Sequence, residues 1–194
     1  MKPLLIALAV VIGVPLGAQE SREVPRFADV NWGSSQSQTK AQVVAKGYTF
    51  AKQDDDGDLQ FTGNYLGTPM RIVALFTPDN KLAKVFVHWL TPDDECLAFY
   101  RRMKEALSNK YGDTSYDVRR FDSPYYEDDG YEEQAVRVGK GHIFATWSWP
   151  TQPDNQAAGL MISVEKNLTV ELTYEPPEWE AESQRRQSKS VKDF

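Results

Sequence analysis

A single cysteine, Cys96, stands among the 194 residues. With no second thiol in the chain, no intramolecular disulfide can form, and core packing alone must hold the fold. Histidine is almost as scarce: His88 and His142 are the only two, so imidazole chemistry would have to use one of them. No His-x-x-x-His or Cys-x-x-Cys pair offers a zinc site. The chain also lacks the Gly-x-Ser-x-Gly elbow of serine hydrolases. Positive charge is in deficit, with 22 Lys and Arg against 28 Asp and Glu. That balance argues against a phosphate-binding surface for nucleic acid and disfavours adhesion to an anionic membrane, both of which need clustered cations. The pairs Arg101-Arg102, Arg119-Arg120 and Arg185-Arg186 are short and flanked by acids, which reads as solvated surface.

Long apolar runs are missing too. The longest, residues 4–14, follows Lys2 and ends at Pro15-Leu16-Gly17-Ala18. It is too short to span a bilayer, which takes roughly 20 helical residues. A basic start, a short apolar stretch and a small-residue end make a secretory signal, residues 1–18, with cleavage expected after Ala18. The position that would carry a lipid-anchoring cysteine is Gln19. The expectation is an exported, soluble chain in the periplasm or outside the cell, with no membrane span and no lipid anchor.

Within the remainder, Ser35-Gln36-Ser37-Gln38 has capping-box spacing and Gly47 a stop, predicting a helix over 36–46. Apolar alternation then predicts strands at 48–53, 59–65, 70–76 and 83–89, with turns at Asp54-Asp55-Asp56-Gly57-Asp58 and Pro78-Asp79-Asn80-Lys81. Thr91-Pro92-Asp93-Asp94 predicts a helix start with Thr91 as cap. Cys96, Phe99, Tyr100, Met103 and Leu107 keep helical spacing until Gly112. More strands are expected around Val136 and Val138, at 143–149, at 160–164 and at 168–174, the last two joined by a tight turn at Asn167. Glu175-Pro176-Pro177 ends the sheet, leaving a charged tail, 178–194.

The fold class implied is α+β, an antiparallel sheet with helices packed on one face, in one domain over 19–177. A helix followed by strands occurs twice, and a diverged duplication with halves 27–90 and 91–177 stays open.

Neither acidic turn fits an EF-hand. With Gly57 in sixth place, Lys52 falls first and Gly63 twelfth; with Asp54 first, Leu59 and Tyr65 take the glycine and glutamate places. Both acidic stretches, 54–58 and 127–133, read as solvated loops, with an irregular calcium site as the alternative. Cys96 and His88 form the one conceivable nucleophile and base, yet Cys96 sits on its helix's apolar stripe, where a thiol is inert. Trp32, Trp89, Trp147 and Trp149 fall at core positions. Phe86 and His88 on one strand, and Phe144 with His142 on another, fall on the phase facing away from the core. If those two strands are neighbours, the four residues make an aromatic and polar patch suited to a protein or peptide partner. Paired carboxylates of a hydrolase or carbohydrate-active enzyme are the rival reading. No cofactor or metal is expected.

The run Trp32-Gly33-Ser34-Ser35, the short helix to Gly47, the strands through Phe76 and Leu82, and the helix ending Lys110-Tyr111-Gly112 resemble a known pattern. It is similar to small exported bacterial proteins of the β-lactamase-inhibitor-like fold and to the related small lipoproteins of outer-membrane assembly, over residues 27–113. The resemblance implies a helix-on-sheet binding module without catalytic machinery. Gln19 departs from the lipoprotein members.

Overall fold

Ser35 and Gln38 close a reciprocal box at the start of α1 (Gln36–Ala45): the Ser35 amide donates to Gln38 Oε1 at 2.9 Å, and the Gln38 amide to Ser35 Oγ at 3.3 Å. Two otherwise orphaned N–H groups are satisfied there, so the helix begins where the spacing predicts. The structure, a computed structural model, describes residues 24–150 and 157–192. The expected signal, 1–18, lies outside the described residues.

Four strands follow as a meander: β1 (Thr49–Gln53), β2 (Leu59–Tyr65), β3 (Thr68–Phe76) and β4 (Leu82–Trp89). The chain then enters α2 (Cys96–Tyr111) through a 3-10 turn at Asp93–Glu95. Thr91 is not its cap, because its hydroxyl donates instead to the Leu168 carbonyl, 2.9 Å away. Gly112 ends α2 at φ +86°, a left-handed conformation that a residue with a Cβ adopts only at a cost.

The second half departs from expectation between Gly112 and Gly141. Tyr116–Phe121 forms β5, and the stretch around Val136 expected as a strand is α3 (Glu132–Arg137). Charge placement explains the helix: Glu132 and Glu133 occupy its first turn and Arg137 its last, complementing the helix dipole. Val138 stays exposed beyond the end of α3. β5 is an edge strand that mixes Asp117, Arg119 and Arg120 into both phases, so no apolar alternation marks it. β6 (Gly141–Pro150), β7 (Ala157–Val164) and β8 (Val170–Glu175) complete the sheet.

The eight strands form one antiparallel sheet in the order β1-β2-β3-β4-β8-β7-β6-β5. Each half is thus a helix followed by a four-stranded meander, with α3 inserted in the second. The halves meet where β4 pairs β8. Ile72, Val87, Leu172, Ile162 and Ala145 sit at successive register positions across that junction, all nearly devoid of solvent contact. A single core therefore crosses both halves. Cys96, Phe99, Tyr100, Met103 and Leu107 of α2 lie on it, and Val43 of α1 and Val136 of α3 extend it. Each large apolar side chain so enclosed contributes about 1.5–3 kcal/mol. The indole of Trp147 donates to the Gly112 carbonyl at 2.9 Å, pinning the end of α2 to β6.

The tail forms a further helix, α4 (Trp179–Lys192), and it does not join the others. Its Trp179 ring covers Lys84, and its Arg186 reaches Asp58. Lys84 alternates with core residues Val85 and Val87, so α4 lies on the reverse side of the sheet.

Candidate functional site

Because side chains alternate along every strand, filling the core with one phase leaves a second ordered surface on the reverse face. Register builds that surface in rows. One row runs Arg71, His88, Glu171, Ser163, Phe144, Val118 from β3 to β5; the next runs Val73, Phe86, Thr173, Met161, Thr146, Tyr116.

Phe86, His88, His142 and Phe144 all belong to this face. Phe86 and His88 stack with centroids 6.0 Å apart. β4 and β6 are not neighbours, however, since β8 and β7 lie between them. Three strand spacings set the two pairs about 14 Å apart. The condition for a single four-residue patch is therefore not met, and Thr173, Met161, Glu171 and Ser163 fill the interval.

In that interval His88 Nδ1 lies 3.1 Å from Glu171 Oε2. Burial pushes the His88 imidazole below its ordinary range, with Arg71 adding to the effect, and burial pushes the Glu171 carboxyl up. Thr173 donates to the other Glu171 oxygen at 3.0 Å. Ser163 donates to Glu165 at 2.7 Å, and Glu171 stands between Ser163 and His88 in the row. The hydroxyl and the imidazole are thus not set as nucleophile and base. Cys96 is buried in the core, on the other side of the sheet from His88, and burial raises its thiol to about 11. Ser37-Gln38-Thr39-Lys40 has Ser-x-x-Lys spacing within α1, but its lysine caps the Phe50 ring at 3.4 Å while the Ser37 hydroxyl meets Ser35.

The acidic turns are not simple solvated loops. Asp58 is only 4% exposed and accepts from the Phe76 amide at 2.8 Å as well as from Arg186. Asp54 accepts from the Asp58 amide, and Asp56 pairs with Lys189. In the second stretch Arg119 meets Glu127 at 2.6 Å, Glu132 at 3.6 Å and Asp128 at 3.7 Å. Asp56, Asp58, Glu127, Asp128 and Glu132 are thus turned toward cations of the chain itself.

α4 crosses β4 toward β2, leaving the β5–β8 part of the reverse face without a helix among the described residues. A groove of about 340 Å³ lies there, lined on that face by Tyr116, Thr146, Ser148, Gly159, Met161 and Glu175. Gly159 keeps its floor low: an added Cβ would meet only Glu175, at 3.9 Å. Tyr116 is 69% and Met161 37% exposed, large apolar groups left in water. The Thr146 hydroxyl lacks both solvent and a hydrogen-bond partner. Glu175 is ion-paired with Lys84, while Glu171 and Glu165 lie outside the lining, so among the described residues two convergent acids do not meet in this groove. Met161 was legible as an apolar residue on a polar phase. Tyr116 was not, because nothing marked its strand.

Compared with protein-family models, with curated proteins and with solved structures, the chain matches none.

Proposed function

We propose that this protein is an exported, non-catalytic binding module that receives a protein or peptide segment on the reverse face of its sheet, in the groove over β5–β8. The observation that carries the reading is the exposed pair Tyr116 and Met161 on a concave part of a sheet that no helix covers among the described residues, while its other part is covered by α4. A flexible thioether and an amphipathic ring suit contact with another polypeptide. The groove also offers the exposed Ser148 hydroxyl for a main-chain hydrogen bond. Phe144 and Val118 continue the apolar surface one row away. Export is supported by the layout of residues 1–18.

The test places a photo-activatable residue at position 116, at 161, or at Gln42, an exposed site on α1. Irradiation in the compartment where the protein resides should give one shared adduct from positions 116 and 161 and none from 42. Equal adduct patterns from all three positions would overturn the groove as the binding surface.

A further inference from the structure

Along its described side chains α4 offers the sheet almost no apolar surface. From Trp179 to Lys189 its only apolar residues are Trp179 and Ala181, and Ala181 is exposed. Charge holds it instead. Arg186 donates through Nη1 to Asp58 Oδ2 at 2.8 Å, through Nη2 to Asp58 Oδ1 at 3.0 Å and to the Phe76 carbonyl at 2.8 Å, and through Nε to Glu182 at 2.7 Å. Glu182 is buried and also takes Arg185. Lys189 pairs with Asp56 further along. At the near end, the Lys84 ammonium sits between the Phe86 ring at 4.6 Å and the Trp179 ring at 4.7 Å. Two anchors thus fasten the helix, one at Lys84 on β4 and one at Asp58 just before β2.

Between the anchors lies β3. Leu75 is the register partner of Lys84 and shares its face, with Val73 next along that phase. Both are half-buried, as is Phe86. Phe86 stands in the same row as Met161 and Tyr116. The surface beneath α4 is therefore an apolar continuation of the groove face. The link to β8 is Pro176-Pro177, which restricts the chain to a stiff, extended joint.

We infer that α4 is a detachable strap, fastened by the Arg186–Asp58–Glu182 network and the Trp179–Lys84 contact, which lifts about Pro176-Pro177 and bares Leu75 and Phe86 as the second half of the binding face. Its use in binding rests on the groove reading above, whereas its detachment does not. A helix held by charge, with little burial of its own, opens below the global unfolding free energy.

Hydrogen exchange on the full chain, without any ligand, tests the detachment. In the native protein the amides of 181–189 should exchange faster than those of β3, β4 and β8. Arg186→Gln should speed α4 exchange a further tenfold or so, the loss of hydrogen bonds to a charged group, with the strands remaining the slower. Trp179→Ala loosens the other anchor without orphaning a buried charge and should act in the same direction. The thiol of Leu75→Cys, against the silent Cys96, should be labelled faster by a similar factor when combined with either substitution. Exchange of α4 only at the rate of the core strands, in the native protein and both variants alike, would overturn the inference. So would an unchanged labelling rate at position 75. Either result would leave the crosslinking test of the groove standing.

Discussion

Arg186 grips both carboxylate oxygens of Asp58 across 128 residues of sequence. The pairing joins the last helix to the turn before β2 and gives the Asp54–Asp58 loop a structural task. Asp58 also accepts the Phe76 amide, so its loss orphans a donor in the sheet and leaves the guanidinium with only Glu182 and the Phe76 carbonyl. Asp58→Ala should therefore destabilise the fold by about 3 kcal/mol, the range for breaking a buried pair from one side. Urea unfolding measures this, and Asp58→Ala with Arg186→Ala should cost less than the sum of the two.

The β2–β3 hairpin carries the opposite kind of residue, one that works against the fold. Leu66 and Gly67 form its two-residue turn at φ +51° and +87°, and Leu66 is 84% exposed. Such turns favour Asn-Gly, and a left-handed leucine costs about 1 kcal/mol. Leu66→Asn should raise stability by about that amount, seen as a higher melting temperature. A lower one would show that the leucine makes a stabilising contact.

Thiol reactivity reports on the core. With burial holding Cys96 near 11, a disulfide reagent at pH 8 should leave the native protein unmodified. Labelling should proceed only as fast as the core opens, so adding urea up to the unfolding midpoint should accelerate it in step with the unfolded fraction.

His88 and Glu171 tilt the pH dependence of stability in opposite senses. The folded His88 titrates below its ordinary 6.5, so its contribution is present above that pH and is lost as the pH falls through the folded value. The folded Glu171 titrates above its ordinary 4.5, so its contribution is present below that pH and is lost as the pH rises through the folded value. Between pH 4.5 and 6.5 the two oppose each other, and the native protein should show a shallow profile. His88→Gln should then lose stability with rising pH across that window and Glu171→Gln should gain it, as read from urea midpoints.

Much of the fold was legible because it is local. The reciprocal Ser35 and Gln38 box, the alternation from Leu59 to Trp89 and the Cys96-to-Leu107 stripe each state their own secondary structure within a few residues. Edge strand β5 was hidden because Asp117, Arg119 and Arg120 replace the apolar phase that a central strand displays. α3 was misread because Val136 and Val138, two apart, imitate strand periodicity while only Val136 is buried. The face was legible and the neighbourhood was not: alternation puts Phe86 and Phe144 on one side, but the insertion of β8 and β7 between them is decided by pairing at long range. Arg186 next to Arg185 looked like surface charge for the same reason, since its acceptor lies 128 residues away.

The strand order has a consequence for the sequence of events as the chain is made. β8, the last strand to emerge, pairs with β4 and β7 in the middle of the sheet. Until it arrives, β4 presents a bare row of amides and carbonyls, and the two meanders have nothing to join them. Closure must bring Val87 and Leu172 together over 85 residues, a non-local step that is slow to form. The chain therefore cannot complete its centre before its end has appeared.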